Sequence, residues 1–461
     1  MAQSKSQASP SVPRGAAAVA SQIERLTPRS RALHEQARRV TPGGLSHNAR
    51  FHAPYPLYFA KARGSRIWDV DGREYIDLWM AHYDAILGHA PKEIIAPLRE
   101  VMEDGLHIGL AIEQEVRLAE RVCRMVPSAE RVRFCTSGTE ATMYAVRLAR
   151  AFTGRNTIVK MVGGWHGANT DLMVDVFPPR YGVPEGRGLP PEITRCTKSC
   201  QYNDVQDTAR AMDAVGSDLA AVILEPTLGA GGMIPAERDY LEFLREETRR
   251  RGALLIFDEV ITGFRFAPGG AQAHFGVTPD LTTLGKILGG GMTIGAIAGR
   301  ADALEPSSIL RKSLPKEERV IVGGGTYSCN PLSMAAGMAT LDILATREKE
   351  IYPVLARRNQ RLATGIELAF TSRGIPVAVT RPASLHAVHF TKEQGLPVRN
   401  MAEILAHTWP DKQHELADRL RLHGVFQFHA GALSIQHSDA DVDALIAAYT
   451  QCADEMADGR D

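Results

Sequence analysis

The sequence lacks several features that would each indicate a particular class of protein. It has no apolar run near the ~20 residues that a membrane helix needs. Its 53 basic residues balance its 53 acidic ones, so no bulk charge favours nucleic acid or an anionic membrane as a partner. It has only six cysteines, which are scattered, and no secretion signal. We therefore expect reduced thiols and a cytoplasmic protein that acts on small molecules.

Two closely spaced cysteines, Cys196 and Cys200, raise the question of a metal site. A structural zinc site needs a second pair of Cys or His ligands at comparable spacing. The sequence offers no such pair beside these two. We interpret both as thiols of a solvated loop and expect no metal.

Residues 1–23 contain no Asp or Glu and are rich in Ala, Ser, Gln and Pro. This composition is compatible with an organelle transit peptide or with a disordered tail. Pro10, Pro13 and Gly15 would interrupt an amphipathic helix there. We therefore predict a disordered tail over 1–23.

Short apolar runs alternate with longer helical patterns between residues 128 and 300, which is typical of a mostly parallel sheet covered by helices on both faces. One crossover helix is predicted over Arg238–Arg251, with Gly252 as its stop. Polar or glycine-rich clusters follow several strands, and the ligand crevice of such a sheet lies at the carboxyl ends of its strands. We expect the clusters to converge on one site. The predicted strands are 131–135, 157–162, 219–224, 253–257 and 292–298.

The chain has 461 residues, which exceeds the size at which single cores usually stop growing. A long helix predicted over 332–360 would lead out of the sheet domain. Strands are predicted at 377–379, 385–390 and 432–435, and a last helix at 440–456. We expect an α/β fold with a large domain at 81–340 and a smaller α+β domain that combines an N-terminal segment, 24–80, with a C-terminal one, 341–461.

Ser137-Gly138-Thr139 is a turn of small residues between an apolar strand and a helix. A helix N-terminus entered through such a turn presents free N–H groups and the positive end of the helix dipole, which suits a phosphate. Ser137 or Thr139 would also serve as an ordinary N-cap residue without any ligand. The motif alone leaves both interpretations open.

Lys286 and Asp258 are candidate catalytic residues because each is a charged group in an apolar segment. Desolvation would lower the pKa of Lys286 and make its amine nucleophilic towards an aldehyde; the alternative is a surface lysine in a flexible loop. Asp258 ends a buried run, so its carboxylate needs hydrogen bonds or a cationic partner. A protonated pyridine nitrogen is such a partner, and capping of the next turn is the alternative.

Five motifs follow one another along the chain: SGTEA, a Gly-Trp-His turn, LIFDEVITGFR, TTLGKILGGG and GGTYSCNP. This series resembles the class III aminotransferases of fold type I, in the branch of glutamate-1-semialdehyde aminomutase and the β-amino-acid aminotransferases. The resemblance extends from about Pro42 to His437. It implies pyridoxal 5'-phosphate as the cofactor and a homodimer with shared active sites.

The resemblance also implies roles for individual residues. Lys286 would hold the cofactor as a Schiff base and move a proton, and Asp258 would pair with the pyridine nitrogen. Thr326 would reach the phosphate of the neighbouring subunit's cofactor. The expected cofactor site comprises Ser137, Gly138, Thr139, Trp165, Glu225, Asp258, Val260, Lys286 and Thr326.

Trp165 and Val260 would contact the two faces of the cofactor ring. The alternative for Trp165 is ordinary core packing. Arg50 follows a Pro-Gly-Gly turn at the position where the aminomutase has an Arg for the substrate carboxylate, and a planar, permanently charged guanidinium suits that group. The β-amino-acid aminotransferases have their Arg nearer the position of His47, so the resemblance leaves the subgroup open. The alternative for Arg50 is a surface arginine.

Other positions depart from the aminomutase pattern. Residues 79–85 and His429 differ from it, and Leu228 and Ala230 occur where relatives have a Gln or Asn for the ring hydroxyl. We therefore expect ping-pong transamination between a carboxylate-bearing amine, an amino acid or β-amino acid, and a keto acid. An aminomutase reaction is the alternative.

Two other classes of function are disfavoured. A non-catalytic, regulatory relative would not need the Lys286 and Asp258 that the sequence retains. A nicotinamide dehydrogenase would need a glycine fingerprint that the sequence lacks.

Overall fold

The computed structural model describes residues 15–178 and 181–458. The first fourteen residues of the predicted tail lie outside this range. Its strands are β1 Phe59–Arg63, β2 Arg66–Asp69, β3 Glu74–Asp77, β4 Arg131–Cys135, β5 Thr157–Met161, β6 Thr197–Cys200, β7 Leu219–Leu224, β8 Thr227–Leu228, β9 Ile234–Pro235, β10 Leu254–Asp258, β11 Leu281–Gly285, β12 Gly295–Gly299, β13 Val377–Thr380, β14 Leu385–Phe390, β15 Val425–Phe426 and β16 Ala430–Ala432.

The α-helices connect these strands, with short 3₁₀ turns between them, among them Pro42–Gly44, Asn48–Arg50 and Lys286–Gly289. The α-helices are α1 Ala16–Leu26, α2 Pro28–Ala37, α3 Met80–Tyr83, α4 Lys92–Asp104, α5 Glu113–Met125, α6 Gly138–Thr153, α7 Ile193–Cys196, α8 Val205–Val215, α9 Arg238–Arg251, α10 Gly270–Phe275, α11 Ala301–Leu304, α12 Pro331–Thr346, α13 Glu348–Thr371, α14 Met401–His407, α15 Asp411–Leu422 and α16 Asp439–Asp458.

A seven-stranded sheet in the order β4-β12-β11-β10-β7-β5-β6 forms the centre of the fold. Only β12 runs antiparallel to its neighbours, so the predicted mostly parallel sheet is confirmed. Every residue of β7 is buried, as expected for a strand covered on both faces. The predicted strands 131–135 and 219–224 are confirmed at both ends, and the helix Arg238–Arg251 likewise.

Helices cover both faces of this sheet. Successive side chains of a strand point to opposite faces, so each strand contacts helices on both sides. Leu254 and Ile256 of β10 pack in the cluster that contains the apolar face of α6. Leu255 and Phe257 pack in the cluster that contains Leu241 and Leu244 of α9. Burial of side chains of this size stabilises the fold by roughly 1.5–3 kcal/mol each.

The two ends of the chain meet in a second sheet of order β1-β2-β3-β15, in which β15 runs parallel to β3. Arg66 Nη2 and Asp441 Oδ1 form an ion pair at 2.5 Å and join β2 to α16. A third sheet, β13-β14-β16, adds only C-terminal strands. The boundaries 24–80, 81–340 and 341–461 stay a prediction, and the last of them falls inside α12.

The predicted tail is wrong for residues 16–23, which belong to α1. Val19 and Ile23 lie one helical turn apart and are buried against Tyr55, Leu57 and other side chains of the sheet formed by the chain ends. Pro13 and Gly15 precede this helix and therefore do not interrupt it.

Two further predictions are wrong in detail. The helix over 332–360 is divided at Arg347 into α12, which packs on α4 and α5, and α13, which packs on α16. The strand predicted over 432–435 ends at Ala432, because Ser434 hydrogen-bonds His437 instead of a neighbouring strand. Strand β10 lies one residue later than predicted, and β12 begins three residues later and ends one residue later.

Cys200 is buried at the end of β6, where it contacts Thr208 and Met161, so its assignment to a solvated loop is wrong. No three His, Cys, Asp or Glu side chains are grouped as a metal site between residues 15 and 458, the unassigned 179–180 aside. In the same residues, no helix combines the length and apolarity needed to cross a membrane. The cytoplasmic location stays a prediction.

Candidate active site

A cavity of about 300 Å³ opens at the carboxyl ends of the central strands. It brings together eight of the ten residues predicted for the site; Arg50 and Thr326 are not part of its wall. The wall consists of Thr136, Ser137, Gly138, Thr139, Trp165, His166, Gly167, Glu225, Asp258, Val260, Ile261, Lys286, Met292, Thr293 and Ile294.

The turn into α6 forms one end of the cavity. Ser137 Oγ accepts the N–H of Glu140 at 3.2 Å, so Ser137 is the N-cap residue of the helix. The N–H groups of Gly138 and Thr139 have no hydrogen-bond partner among the described residues and open into the cavity. The two interpretations of the motif are therefore compatible. Ser137 caps the helix, and the turn still leaves N–H donors for an anion.

Gly138 is required at this turn by a close approach. A Cβ atom at Gly138 would lie 2.9 Å from both methyl groups of Val260. Thr139 is held from the other side, since its Oγ1 accepts the N–H of Ala168 at 3.2 Å. Any side chain larger than hydrogen at position 138 would displace Val260 from the cavity wall.

Asp258 ends β10, and its carboxylate is buried but well supplied with hydrogen bonds. Oδ2 lies 2.8 Å from Nδ1 of the buried His166, while Oδ1 accepts from Thr283 Oγ1 at 2.9 Å and from the N–H of Val260 at 3.1 Å. A carboxylate has about four lone-pair positions. One position is therefore left for a cationic N–H from a ligand.

Glu225 follows β7, the strand next to β10. Its carboxyl accepts the N–H of Trp165 at 2.9 Å and the N–H of Gly229 at 3.2 Å. Burial, assisted by the negative charge of Asp258, raises the pKa of Glu225 to about 8. At neutral pH this carboxyl group therefore keeps its proton.

Lys286 follows β11, the neighbour of β10 on the other side, and has a left-handed backbone with φ of 44°. Burial lowers the pKa of Lys286, while the carboxyl groups of Asp258, Glu225 and Asp84 act in the opposite direction. An amine with a lowered pKa is a better nucleophile near neutral pH. The structure thus excludes the alternative of a lysine in a flexible surface loop.

The sequence interpretation missed several residues at this site. His166 and Thr283 both hold Asp258, and a signal was present in each case, since His166 adjoins Trp165 and Thr283 pairs with Asp258 in the register of β10 and β11. His47 and His82 form a second group, in which their rings lie 4.9 Å apart. No spacing rule connects these two histidines.

Arg50 and Thr326 are both exposed. Arg50 ends the 3₁₀ turn that follows His47 and makes no ion pair among residues 15–178 and 181–458. Burial lowers the pKa values of His47 and His82, and the charges of Arg50 and Lys286 lower them further. Arg50 therefore acts on the same two imidazoles as Lys286, although it does not line the cavity.

The residues of the cavity fit pyridoxal 5'-phosphate. The free N–H groups of Gly138 and Thr139 suit its phosphate, the remaining lone pair of Asp258 suits its pyridinium nitrogen, and Lys286 is an amine in reach of both carboxyl groups. Trp165 and Val260 supply apolar surface for an aromatic ring.

Comparison with known proteins agrees with this geometry. The model of the family described as aminotransferase class-III matches residues 48–435. The chain is 39% identical over 429 residues to a protein of Aquifex aeolicus named glutamate-1-semialdehyde 2,1-aminomutase, covering 92% of this chain and 99% of the relative.

Solved structures give the same result. An omega-transaminase from Sphaerobacter thermophilus has a TM-score of 0.84 at 33% identity, covering 92% of this chain and 97% of that one. A beta-phenylalanine aminotransferase from Variovorax paradoxus has a TM-score of 0.84 at 32% identity, covering 94% and 95%. A transaminase with pyridoxal phosphate bound has a TM-score of 0.83 at 29% identity, covering 94% and 99%.

We expect the cofactor-free protein to lose stability as the pH rises from 4.5 to 8, in part because of Glu225. Its pKa is raised from 4.5 to about 8, so in this window the folded state binds a proton that the unfolded chain has released. Stability rises with pH only where the unfolded state binds more protons, and it therefore falls here. In thermal melts, Glu225→Gln should flatten the decline. The exposed Glu237→Gln should not, and equal slopes for the two variants would contradict the assignment.

Proposed function

The chain belongs to the class-III aminotransferase family, and from that premise we propose that it transfers an amino group between a carboxylate-bearing amine and a keto acid. The family assignment confirms the resemblance found in the sequence motifs. Members of this family are enzymes that use pyridoxal 5'-phosphate, and this cofactor applies to the chain as well. The identity of the donor and the use of two successive substrates are our proposal.

The cofactor, when bound, withdraws electrons from the carbon that carries the substrate amine. The residues of the chain would support this chemistry in distinct ways. Lys286 Nζ would bind the cofactor's aldehyde carbon and, when released, move the proton of the substrate carbon. Asp258 would hold a proton on the ring nitrogen, and His166 and Thr283 would keep that carboxylate in place.

One observation carries the choice of a carboxylate-bearing donor. The rings of His47 and His82 lie 4.9 Å apart, Arg50 ends the 3₁₀ turn that follows His47, and the turn that carries His82 packs on the turn that begins at Lys286. Arg50 has no acidic partner there. A substrate with its amine at Lys286 would therefore place a carboxylate at Arg50, where a charge-assisted, two-pronged hydrogen bond can form.

The aminomutase reaction remains the second candidate, because the Aquifex relative carries that name. An aminomutase must retain its intermediate and return nitrogen to the same carbon skeleton. An aminotransferase must release a keto product and admit a second substrate. His47 and Arg50 are both exposed, and solvent access to these side chains supports release of a product.

We expect ping-pong kinetics, with a keto acid released before the second substrate binds. The measurement is to mix the cofactor-loaded protein with single amino acids and β-amino acids, and to quantify the keto product formed without an acceptor, up to one per site. Glutamate-1-semialdehyde serves as the comparison substrate. Its rapid conversion to 5-aminolevulinate, with no keto acid released from any amine, would establish the aminomutase reaction instead.

We expect Arg50→Ala to reduce kcat/KM roughly 10–100-fold for carboxylate-bearing amines, the loss of one charge-assisted hydrogen-bond pair. Amines without a carboxylate should change little, because they never form the pair. Arg39→Ala is the matched control, since Arg39 is also exposed and its side chain has no hydrogen bond or ion pair with any described residue. Equal losses with both kinds of amine would make Arg50 a structural residue.

The proposal includes a homodimer. The segment around α4 and α5 exposes Leu106, Ile108 and Leu110 by 49–76%. The ring of Tyr327, itself 63% exposed, lies 4.9 Å from that of His107 in the same segment. Thr326 adjoins this apolar surface and lies outside the cavity of its own chain. A second copy that covered the surface would receive Thr326 at its own site.

We expect complementation between Lys286→Ala and Thr326→Ala chains. In a mixed dimer, one site would carry both lesions and the other would carry neither, so a heterodimer isolated through two different affinity tags should have about half of the activity of the native dimer. Each parent dimer has two damaged sites and should be far less active. A heterodimer with only the mean activity of its parents, or an active monomer in sedimentation, would contradict shared sites.

A further inference from the structure

Two imidazoles beside Arg50, those of His47 and His82, remain without a role. His82 lies between two rings that are tilted against its own, with Trp79 at 4.2 Å and His47 at 4.9 Å between centroids. Phe428 contacts Trp79 at 4.5 Å and extends the aromatic wall behind them. We call His47, His82 and Arg50 the mouth cluster.

An unusual backbone holds His82 in this position. Met80, Ala81, His82 and Tyr83 have φ angles of 42°, 53°, 62° and 69°, a left-handed turn of four residues that are not glycine. Non-glycine residues rarely adopt this conformation even singly. Asp77 stabilises it, since its carboxylate accepts the N–H of Trp79 at 2.8 Å and that of Met80 at 3.1 Å. Strain of this kind is kept where a side chain must have one particular position.

Both imidazoles of the mouth cluster have hydrogen-bonding capacity left over. His82 Nε2 is buried and has no hydrogen-bond partner among the residues that the structure describes, which is uncommon for a buried polar atom. His47 Nδ1 accepts the N–H of Ala49 at 3.2 Å, so the proton of a neutral His47 is on Nε2, where it can be donated.

The groups that act electrostatically on His82 are all basic. Burial, together with His47, Lys286, Arg50 and His429, lowers the pKa of His82 to about 3, so it is a neutral donor at physiological pH. Burial raises the pKa of Asp84, the one carboxylate of the same turn, to about 6, while Arg265, Lys286 and His89 act in the opposite direction. At physiological pH the positive charge of the mouth cluster is therefore that of Arg50, and its two imidazoles add spare hydrogen-bonding capacity.

We infer that the mouth cluster binds a second oxyanion of the amino donor, so that the preferred substrate is an amine with two acidic groups. The first acidic group pairs with Arg50 and the second accepts hydrogen bonds from His82 and His47. The identification of the bound molecule as the amino donor rests on the proposed function. Binding of a second oxyanion can be tested without turnover.

The test measures binding of amine-free acids to the cofactor-loaded protein by calorimetry. The α,ω-dicarboxylates from succinate to adipate are compared with monocarboxylates of the same length. A hydrogen bond to a charged group corresponds to roughly tenfold or more in affinity. We expect at least one dicarboxylate to bind about tenfold more tightly than its monocarboxylate, and His82→Phe to abolish this preference while the monocarboxylate's affinity stays within about twofold.

Control variants separate the subsite from general effects on the pocket. His82→Gln keeps an N–H donor and should retain part of the preference. His274→Phe changes an imidazole that packs on Phe266 and Phe275, outside the site, and should retain all of it. Arg50→Ala should weaken mono- and dicarboxylates alike. The phosphonate 3-phosphonopropionate shows whether the second oxyanion is a carboxylate or a phosphonate.

Two outcomes would overturn the inference: equal affinity for mono- and dicarboxylates in the native protein, or an unchanged preference in His82→Phe. The proposed function fails differently, through absence of transamination with any amine. If the protein prefers dicarboxylates through His82 but catalyses no transamination, the oxyanion site is supported and its ligand is not an amino donor.

Discussion

The active site depends on the burial of two carboxyl groups beside one amine at the carboxyl ends of neighbouring strands. Glu225, Asp258 and Lys286 follow β7, β10 and β11, which are consecutive in the central sheet. Buried charges are costly unless they are paired or hydrogen-bonded. The two carboxyl groups differ in their hydrogen bonds. Asp258 has three, and Glu225 has two, both from backbone N–H groups.

This difference in hydrogen bonding gives the two carboxyl groups different roles. Asp258 remains an acceptor for a cationic ligand group, whereas Glu225, whose pKa rises to about 8, can fasten the Gly-Trp-His turn as a neutral acid. Lys160 also stabilises this turn, since its buried Nζ donates to the carbonyl oxygens of Gly164 and Val174. Trp165 and His166 are thus fixed by groups on three neighbouring strands before any ligand binds.

The wall of the cavity follows from close approaches between backbone segments. Gly138 faces Val260, and Gly167 faces Thr139 so closely that a Cβ atom would lie 2.3 Å from its Oγ1. The substrate side is built differently, from a left-handed turn after β3 that Asp77 stabilises. Its strain is of the order of 1–2 kcal/mol per residue, which the surrounding burial of Met80 and Tyr83 offsets. The cofactor side and the substrate side are therefore supported by independent contacts.

The sequence by itself determined the parts that depend on neighbouring residues. Short apolar runs between helical patterns, the small-residue turn at Ser137 and the lone Lys286 among apolar residues each report a local environment, and they sufficed to predict the central sheet and the carboxyl ends of its strands as the site. The ring contacts expected of Trp165 and Val260 came instead from the resemblance to the class III aminotransferases. The periodicity could not show that α12 and α13 separate at Arg347, since each helix packs on a different partner. It could not show that residues 16–23 are helical either, because Val19 and Ile23 are buried by distant strands. The mouth cluster was decided only by tertiary structure, since His47 and His82 belong to separate turns that come together through the backbone strain at Met80–Tyr83.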